Sequence, residues 1–187
     1  DHDAVIFDEA HQLEDIATHF FGMRVSRSRL SLLGHDATRA LERARAVEPG
    51  LVPRASLGLP GDLAAAAADL FVALGEALGA GEGRVAVERD VWKGDAGVRW
   101  LGLDAVLEGV GALAASVAAR LRDTGSRPGT AGSAAADALE VVGRRAEVVR
   151  DHLAAIADAG RGLVVWFEPD PAQPAISAAP VAVASVF

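Results

Sequence analysis

The chain has 187 residues, of which 51% are hydrophobic and 24% are charged. This composition is typical of a globular protein with one or two cores and excludes an intrinsically disordered chain. The absence of cysteine excludes a disulfide framework and a thiolate metal site within these residues. The net charge of −8 argues against a protein that coats nucleic acid non-specifically.

The first segment combines a short apolar run with a cluster of acids. Residues 4–7, Ala-Val-Ile-Phe, are predicted to form a buried strand that runs directly into Asp8-Glu9-Ala10-His11. Residues 12–22 follow with helical spacing, and Gly22 is predicted to end that helix. Charged residues interrupt the later alanine-rich stretches, so no membrane span is predicted. Because the chain starts Asp-His-Asp, without an initiator methionine or a signal peptide, we expect a piece of a longer protein.

The middle of the chain carries four longer helical patterns. Apolar residues recur every three or four positions over residues 26–47, 61–79, 103–122 and 133–159. Ser26 is predicted to cap the first of these helices. The last pattern is the most regular, with its apolar stripe at Leu139, Val142, Ala146, Val149, Leu153 and Ile156.

Two further segments favour extended structure. In residues 80–101, valines alternate with polar residues, and Gly94-Asp95 could turn a hairpin back through Val98 and Trp100; an irregular loop is an equal alternative. Residues 162–169 and 175–187 are predicted to form strands. The predicted fold is therefore mainly α: a four-helix insertion, residues 23–161, bordered by short strands of an α/β domain in residues 1–22 and 162–187.

Adjacent carboxylates at the end of a buried strand are typical of a nucleotide-hydrolysis site. In α/β sheets, ligands bind beyond the carboxyl ends of the strands. One carboxylate can hold Mg²⁺ against the phosphates of ATP, and its neighbour can orient and deprotonate the attacking water. Both can serve one site only where the strand ends and the backbone turns, as at Asp8 and Glu9. The alternative is that these acids simply cap the following helix.

The stretch VIFDEAH followed by QLEDIATHFFG resembles motif II and the next helix of DEAH-type superfamily 2 DNA helicases. It is most similar to the iron–sulfur XPD/DinG branch, which includes the bacterial DinG-like and YoaA-like proteins. Gln12-Leu13-Glu14-Asp15 is similar to that branch, and VVWFE with SAAPVAVASVF resembles its return strands. The resemblance covers about 45 residues at the two ends and implies that the helical middle is the arch inserted in a RecA-like motor domain.

The resemblance implies an ATP-dependent 5′→3′ DNA helicase of the bacterial cytoplasm, associated with the nucleoid. Asp8 would hold Mg²⁺ of Mg-ATP, Glu9 would be the catalytic base, and His11 would couple the ATP state to the motor. The partners would be single-stranded or forked DNA and the rest of the motor, with no membrane. A P-loop is absent from this sequence, and the cysteines of a 4Fe–4S cluster would lie before Asp1. We therefore predict that the isolated chain does not hydrolyse ATP.

A basic segment supplies the candidate DNA contacts. Residues 1–23 contain six acids and no lysine or arginine, whereas residues 24–54 contain seven arginines and three acids. Single-strand channels combine basic grooves with aromatic platforms. The candidates for DNA contact are Arg24, Arg27, Arg29, Arg39 and Arg43, and the candidates for base stacking are Phe20, Phe21, Trp92 and Trp100. The alternative is an exposed face in which Asp36 and Glu42 pair with the arginines.

Three other hypotheses compete with the helicase. A non-enzymatic helical interaction module would make the DEAH residues incidental. His35-Asp36 is similar to one element of the HD metal phosphohydrolases, although no clear pattern identifies the further ligands. A bundle metal site could also use one face of the first helix, with ligands His11, Glu14, Asp15 and His19.

Overall fold

The computed structural model describes residues 22–79, 81, 83–124, 129–158 and 162–180. Its α-helices are α1 (Arg27–Val47), α2 (Leu59–Leu78), α3 (Asp95–Asp123) and α4 (Ala131–Ala157). Its strands are β1 (Met23–Ser26), β2 (Val85–Ala86), β3 (Leu163–Glu168) and β4 (Ala175–Pro180). Short 3₁₀ turns cover Arg54–Gly58 and Arg89–Lys93. The predicted mainly α class with four long helices is confirmed.

The four helices form an antiparallel bundle in which chain neighbours pack side by side and α4 returns to α1. Arg122 near the end of α3 pairs with Asp137 near the start of α4, at 2.8 Å. Arg150 near the end of α4 forms two hydrogen bonds with Asp104 near the start of α3, at 2.8 and 3.1 Å. These two contacts fix the opposite directions of α3 and α4.

Local sequence signals set several helix ends. The Ser26 hydroxyl accepts a hydrogen bond from the Arg29 amide at 3.2 Å, so the predicted N-cap of α1 is confirmed. Thr130 caps α4 in the same way through the Ser133 amide, at 3.3 Å. Gly79 ends α2 with a φ of 56°, a left-handed conformation that glycine adopts without strain.

The core fills the space between the helices with leucine, valine and alanine. Each predicted stripe residue of α4 is buried, which confirms that its regular spacing marks a packed face. Small residues allow close helix approach where α1 meets α2. A Cβ placed on Gly34 would lie only 2.8 Å from the Pro60 carbonyl oxygen, so this crossing requires glycine.

The strands form one antiparallel sheet in the order β1-β4-β3-β2. One face joins the helical core, where the rings of Phe167 and Phe71 stack with centroids 6.3 Å apart. Central strand β4 pairs Ile176 with Val25 of β1 and with Phe167 of β3. The register therefore places Arg24, Ser177 and Trp166 on the opposite, outer face.

Two expectations need correction. The hairpin through Val98 and Trp100 is wrong, since both residues lie in α3, which begins at Asp95 rather than near residue 103. Gly97 makes this early start possible, because a Cβ there would lie 1.9 Å from the Trp92 carbonyl oxygen. The sheet also includes β1, for which no strand was predicted, and β2, which lies where the alternating valines of residues 80–101 favoured extended structure.

Two helices are long and apolar enough to cross a membrane when judged by length and composition only. They are α2 with its preceding turn (Ser56–Leu78) and α3 (Asp95–Asp123). The expectation that interrupting charges exclude such stretches was therefore too strict. Core helices of soluble proteins meet the same criteria, and both helices bury leucines in this bundle. Length and composition alone do not make either helix a membrane span.

Candidate nucleic-acid interface

The predicted ATP-site residues Asp8, Glu9 and His11 lie outside the described residues. The same holds for Glu14, Asp15 and His19 and for the candidate stacking residues Phe20 and Phe21. The structure does describe the arginine-rich segment, including all five arginines that were predicted to contact DNA. Their surroundings separate them into two groups.

Arg24 is bound within the sheet. From β1 it reaches across β4 to form an ion pair with Glu168 of β3, and its guanidinium also lies 3.4 Å from the Ser177 hydroxyl. Glu168 also accepts a hydrogen bond from the Trp166 indole N–H at 3.0 Å and forms an ion pair with Arg84 at 3.1 Å. Arg84 in turn lies over the Trp166 ring, 5.4 Å from its centroid.

The electrostatics of Glu168 follow from these contacts. Burial alone would raise the pKa of Glu168, but the hydrogen bonds from Trp166 and Arg24 and the positive charges of both arginines outweigh it, so the pKa is lowered. The carboxylate therefore stays ionised and neutralises much of the arginine charge around it. Arg24 serves the sheet and is not a free phosphate ligand.

Arg29 is also held by the protein. It donates a hydrogen bond to the Arg24 carbonyl oxygen at 2.8 Å and lies 3.4 Å from Nδ1 of His152 in α4. Partial burial lowers the pKa of Arg29. Burial and the neighbouring Arg29 charge lower the pKa of His152, with Asp151 opposing them. These contacts join the start of α1 to the end of α4.

The other three arginines are exposed. Within the described residues, the side chains of Arg27, Arg39 and Arg43 have no hydrogen bond or ion pair. Arg27 lies apart from the other two, at a groove beside Phe71 of α2 and the turn between β3 and β4. Arg39 and Arg43 are four residues apart, so they are neighbours on the exposed side of α1.

Two cross-helix contacts fix how α1 lies beside α4. Arg145 of α4 donates a hydrogen bond to Asp36 of α1 at 2.8 Å, and Arg29 contacts His152 about two turns away. In this antiparallel register, Leu32 lies level with Val148, and Arg39 lies level with Val141. The exposed line between the two helices is named the α1–α4 seam. It consists of Leu32, Asp36, Arg39, Arg43, Val141, Arg145 and Val148.

The seam combines positive charge with apolar surface. It carries three arginines and a single acid, Asp36, which is already paired with Arg145. The side chain of Leu32 is 58% exposed, and those of Val148 and Val141 are 43% and 37% exposed. Sequence reasoning missed Arg145 and these three apolar residues. For the two valines a signal was available, because Val141 and Val148 are seven residues apart and lie off the buried stripe of α4.

The described candidate stacking residues lie elsewhere. Trp92 and Trp100 pack edge to face, with centroids 6.5 Å apart, where the start of α3 meets the end of α4. The Trp100 indole nitrogen is buried without a hydrogen-bond partner in the described part of the chain. The structure therefore does not bring either tryptophan together with Arg39 and Arg43.

The described part of the chain gives no support to a metal centre. It contains no cluster of three or more histidine, aspartate or glutamate side chains that could hold an ion. His35 is exposed, and its neighbour Asp36 is paired with Arg145. Among the described residues, the His35-Asp36 pair thus has none of the further ligands that a metal phosphohydrolase requires.

No protein-family model, curated protein or solved structure matches this chain.

Proposed function

We propose that this chain is part of an ATP-dependent 5′→3′ DNA helicase of the XPD/DinG type. The observation that carries the proposal is the sequence VIFDEAH, followed by Gln12-Leu13-Glu14-Asp15. In this proposal Asp8 holds Mg²⁺ of Mg-ATP, Glu9 activates the attacking water, and His11 couples the ATP state to movement. The remaining motor elements, including the P-loop and any iron–sulfur cluster, belong to other parts of the longer protein.

The described architecture is compatible with this proposal. In it, the four-helix bundle is the arch, and the strands after residue 162 return the chain to a RecA-like motor domain. The strand of DNA contacts exposed arginines of the bundle. Arg27, Arg39 and Arg43 are available for that role, whereas Arg24 and Arg29 are engaged within the protein.

The coding sequence upstream of Asp1 gives the first test. The proposal predicts an open reading frame that continues upstream, with a Gly-x-x-x-x-Gly-Lys-Ser/Thr P-loop and four spaced cysteines. A start codon immediately upstream, with no P-loop, would contradict it. The isolated 187-residue chain should show no magnesium-dependent ATPase activity, since it carries only the metal and water half of the site.

One observation favours a second candidate function, a non-enzymatic helical protein-interaction module. The seam exposes Leu32, Val141 and Val148 beside arginines, and exposed apolar residues aligned on one helical surface are typical of protein contacts. This alternative makes the DEAH residues incidental. Binding of a protein partner with no ATPase activity in the longer protein would favour it.

A further inference from the structure

We infer that the α1–α4 seam is the path of single-stranded nucleic acid across the bundle, and that Arg145, Leu32 and Val148 contribute to it beside Arg39 and Arg43. This inference rests on the proposed function, because that function supplies the class of ligand. It adds a location and three residues that the sequence did not indicate.

The charge of the seam supports a nucleic-acid ligand. Arg39 and Arg43 are exposed, adjacent and free of acidic partners among the described residues. Arg145 lies within about one helical turn of Arg39 along the seam. Its hydrogen bond to Asp36 uses one of its five guanidinium N–H donors, and the other four have no acceptor among the described residues. Three arginines against one acid make the seam a local positive strip in a chain whose net charge is −8. A polyanion is the complementary occupant.

The neighbouring bundle surfaces fit a polyanion less well. On α2, the exposed residues include the acids Asp62, Asp69 and Glu76. On α3, the arginines Arg99 and Arg122 are each paired with two acids. The acids on those surfaces oppose the approach of phosphate groups. Compared with these surfaces of the described bundle, the seam is thus the one on which arginines outnumber acids.

The length and the apolar surface of the seam also support a nucleic-acid ligand. Leu32 and Arg43 are eleven residues apart on α1, which corresponds to about 16 Å of helix and to a few nucleotides. Leu32, Val148 and Val141 follow the same line and offer aliphatic surface to sugars and base faces. The seam has no aromatic platform, so we expect modest affinity that depends strongly on salt and little on base sequence.

Binding of a fluorescent 15-nucleotide oligo(dT) to the 187-residue chain, measured by anisotropy at several salt concentrations, tests the inference. About three phosphate contacts predict a slope of log K against log salt near −2, or roughly a 20-fold loss of affinity between 50 and 200 mM salt. The double variant R39A/R43A should weaken binding on the order of tenfold and flatten the slope to about −0.7. Leu32→Ala should weaken binding without changing the slope.

The matched control is R99A/R122A, which removes the same charge from arginines paired elsewhere on α3. It should leave the affinity and the slope unchanged. No binding at 50 mM salt, an unchanged slope in R39A/R43A, or an equal loss in the control would each overturn the inference. So would preferential binding of an acidic amphipathic peptide with the same arginine dependence, since that result would assign the seam to a protein partner.

These outcomes are separable from those of the proposed function. If oligo(dT) fails to bind but ATP hydrolysis by the longer protein requires Glu9, only the assignment of the seam fails. If the seam binds DNA as described but the longer protein does not hydrolyse ATP, the proposed function fails and the surface remains.

Discussion

Arg145 of α4 and Asp36 of α1 are joined by a hydrogen-bonded ion pair of 2.8 Å. The pair sets the register of the two helices and neutralises the one acid of the α1–α4 seam. Exposed pairs of this kind stabilise a protein by only about 0.2–1 kcal/mol. Its larger consequence is for binding, because Asp36 subtracts from the positive charge that a phosphate backbone would meet.

Replacement of Asp36 by asparagine should therefore strengthen the binding of single-stranded DNA. Without the carboxylate, the whole guanidinium of Arg145 is available to phosphate and no acid of the seam repels the DNA. We expect the affinity for oligo(dT) to rise about twofold or more at 50 mM salt, measured by fluorescence anisotropy. The salt slope should steepen only slightly, because Arg145 is already one of the three phosphate contacts.

Asp62→Asn is the matched control, since Asp62 is an exposed acid at the start of α2 and its loss changes the net charge equally. It should change the affinity and the slope far less. Equal effects of the two variants would show that only the overall charge of the chain matters, not the seam.

Glu168→Gln should destabilise the fold, because the carboxylate holds Arg24, Arg84 and the Trp166 indole on the outer face of the sheet. We expect a loss of about 1–2 kcal/mol in urea unfolding at pH 7, since the arginines would lose their shared acceptor. The pKa of Glu168 is lowered in the folded protein. Its contribution is therefore present above its unfolded pKa near 4.5 and is lost as the pH falls further.

Asp158→Asn provides the comparison for Glu168→Gln. Asp158 pairs with Arg89 at 3.4 Å, and both side chains are mostly exposed. Its replacement should change the stability by less than about 0.5 kcal/mol. A loss as large as that of Glu168→Gln would contradict the view that the partly buried position of Glu168 and its several partners determine its contribution.

Gly34→Ala should destabilise the crossing of α1 and α2 by about 1–3 kcal/mol, because the new Cβ would lie 2.8 Å from the Pro60 carbonyl oxygen. Gly75→Ala, in the interior of α2 with nothing within 4 Å of its added Cβ, should instead stabilise by up to about 1 kcal/mol. Thermal unfolding of the two variants checks both signs. Similar shifts in the two would argue against a close crossing at Gly34.

The folded protein should lose stability as the pH falls from 7.5 to 5.5, and part of that loss should come from His152. Burial and the nearby Arg29 lower the pKa of His152, so the unfolded chain binds a proton below about pH 6.5 that the folded protein resists. His152→Gln removes this group. Its unfolding free energy should depend less on pH in this window than that of the wild type, and an identical dependence would exclude His152 as a contributor.

The helices were predictable because their signals are local and repeated. The apolar stripe of α4 and the cap at Ser26 depend on residues within one or two turns of each other. The start of α3 was not predictable from such signals. Gly94, Gly97 and the flanking valine and tryptophans suggest a turn and a strand, but Gly97 is there because the Trp92 main chain packs against the helix.

The candidate interface was only partly predictable for a related reason. The sequence identifies arginines but does not show which of them the fold uses. Arg24 and its partner Glu168 are 144 residues apart, so their pairing appears only when β4 brings β1 and β3 together. The seam likewise depends on the register of α1 against α4, which no local pattern encodes.

The proposed role of Glu9 can be tested by ATP hydrolysis of the protein expressed from the whole coding sequence. We expect magnesium-dependent ATPase activity that single-stranded DNA stimulates and that Glu9→Gln lowers by at least about a hundredfold, with ATP binding retained. Absence of ATPase activity in the wild type, or full activity in the Glu9→Gln variant, would contradict it.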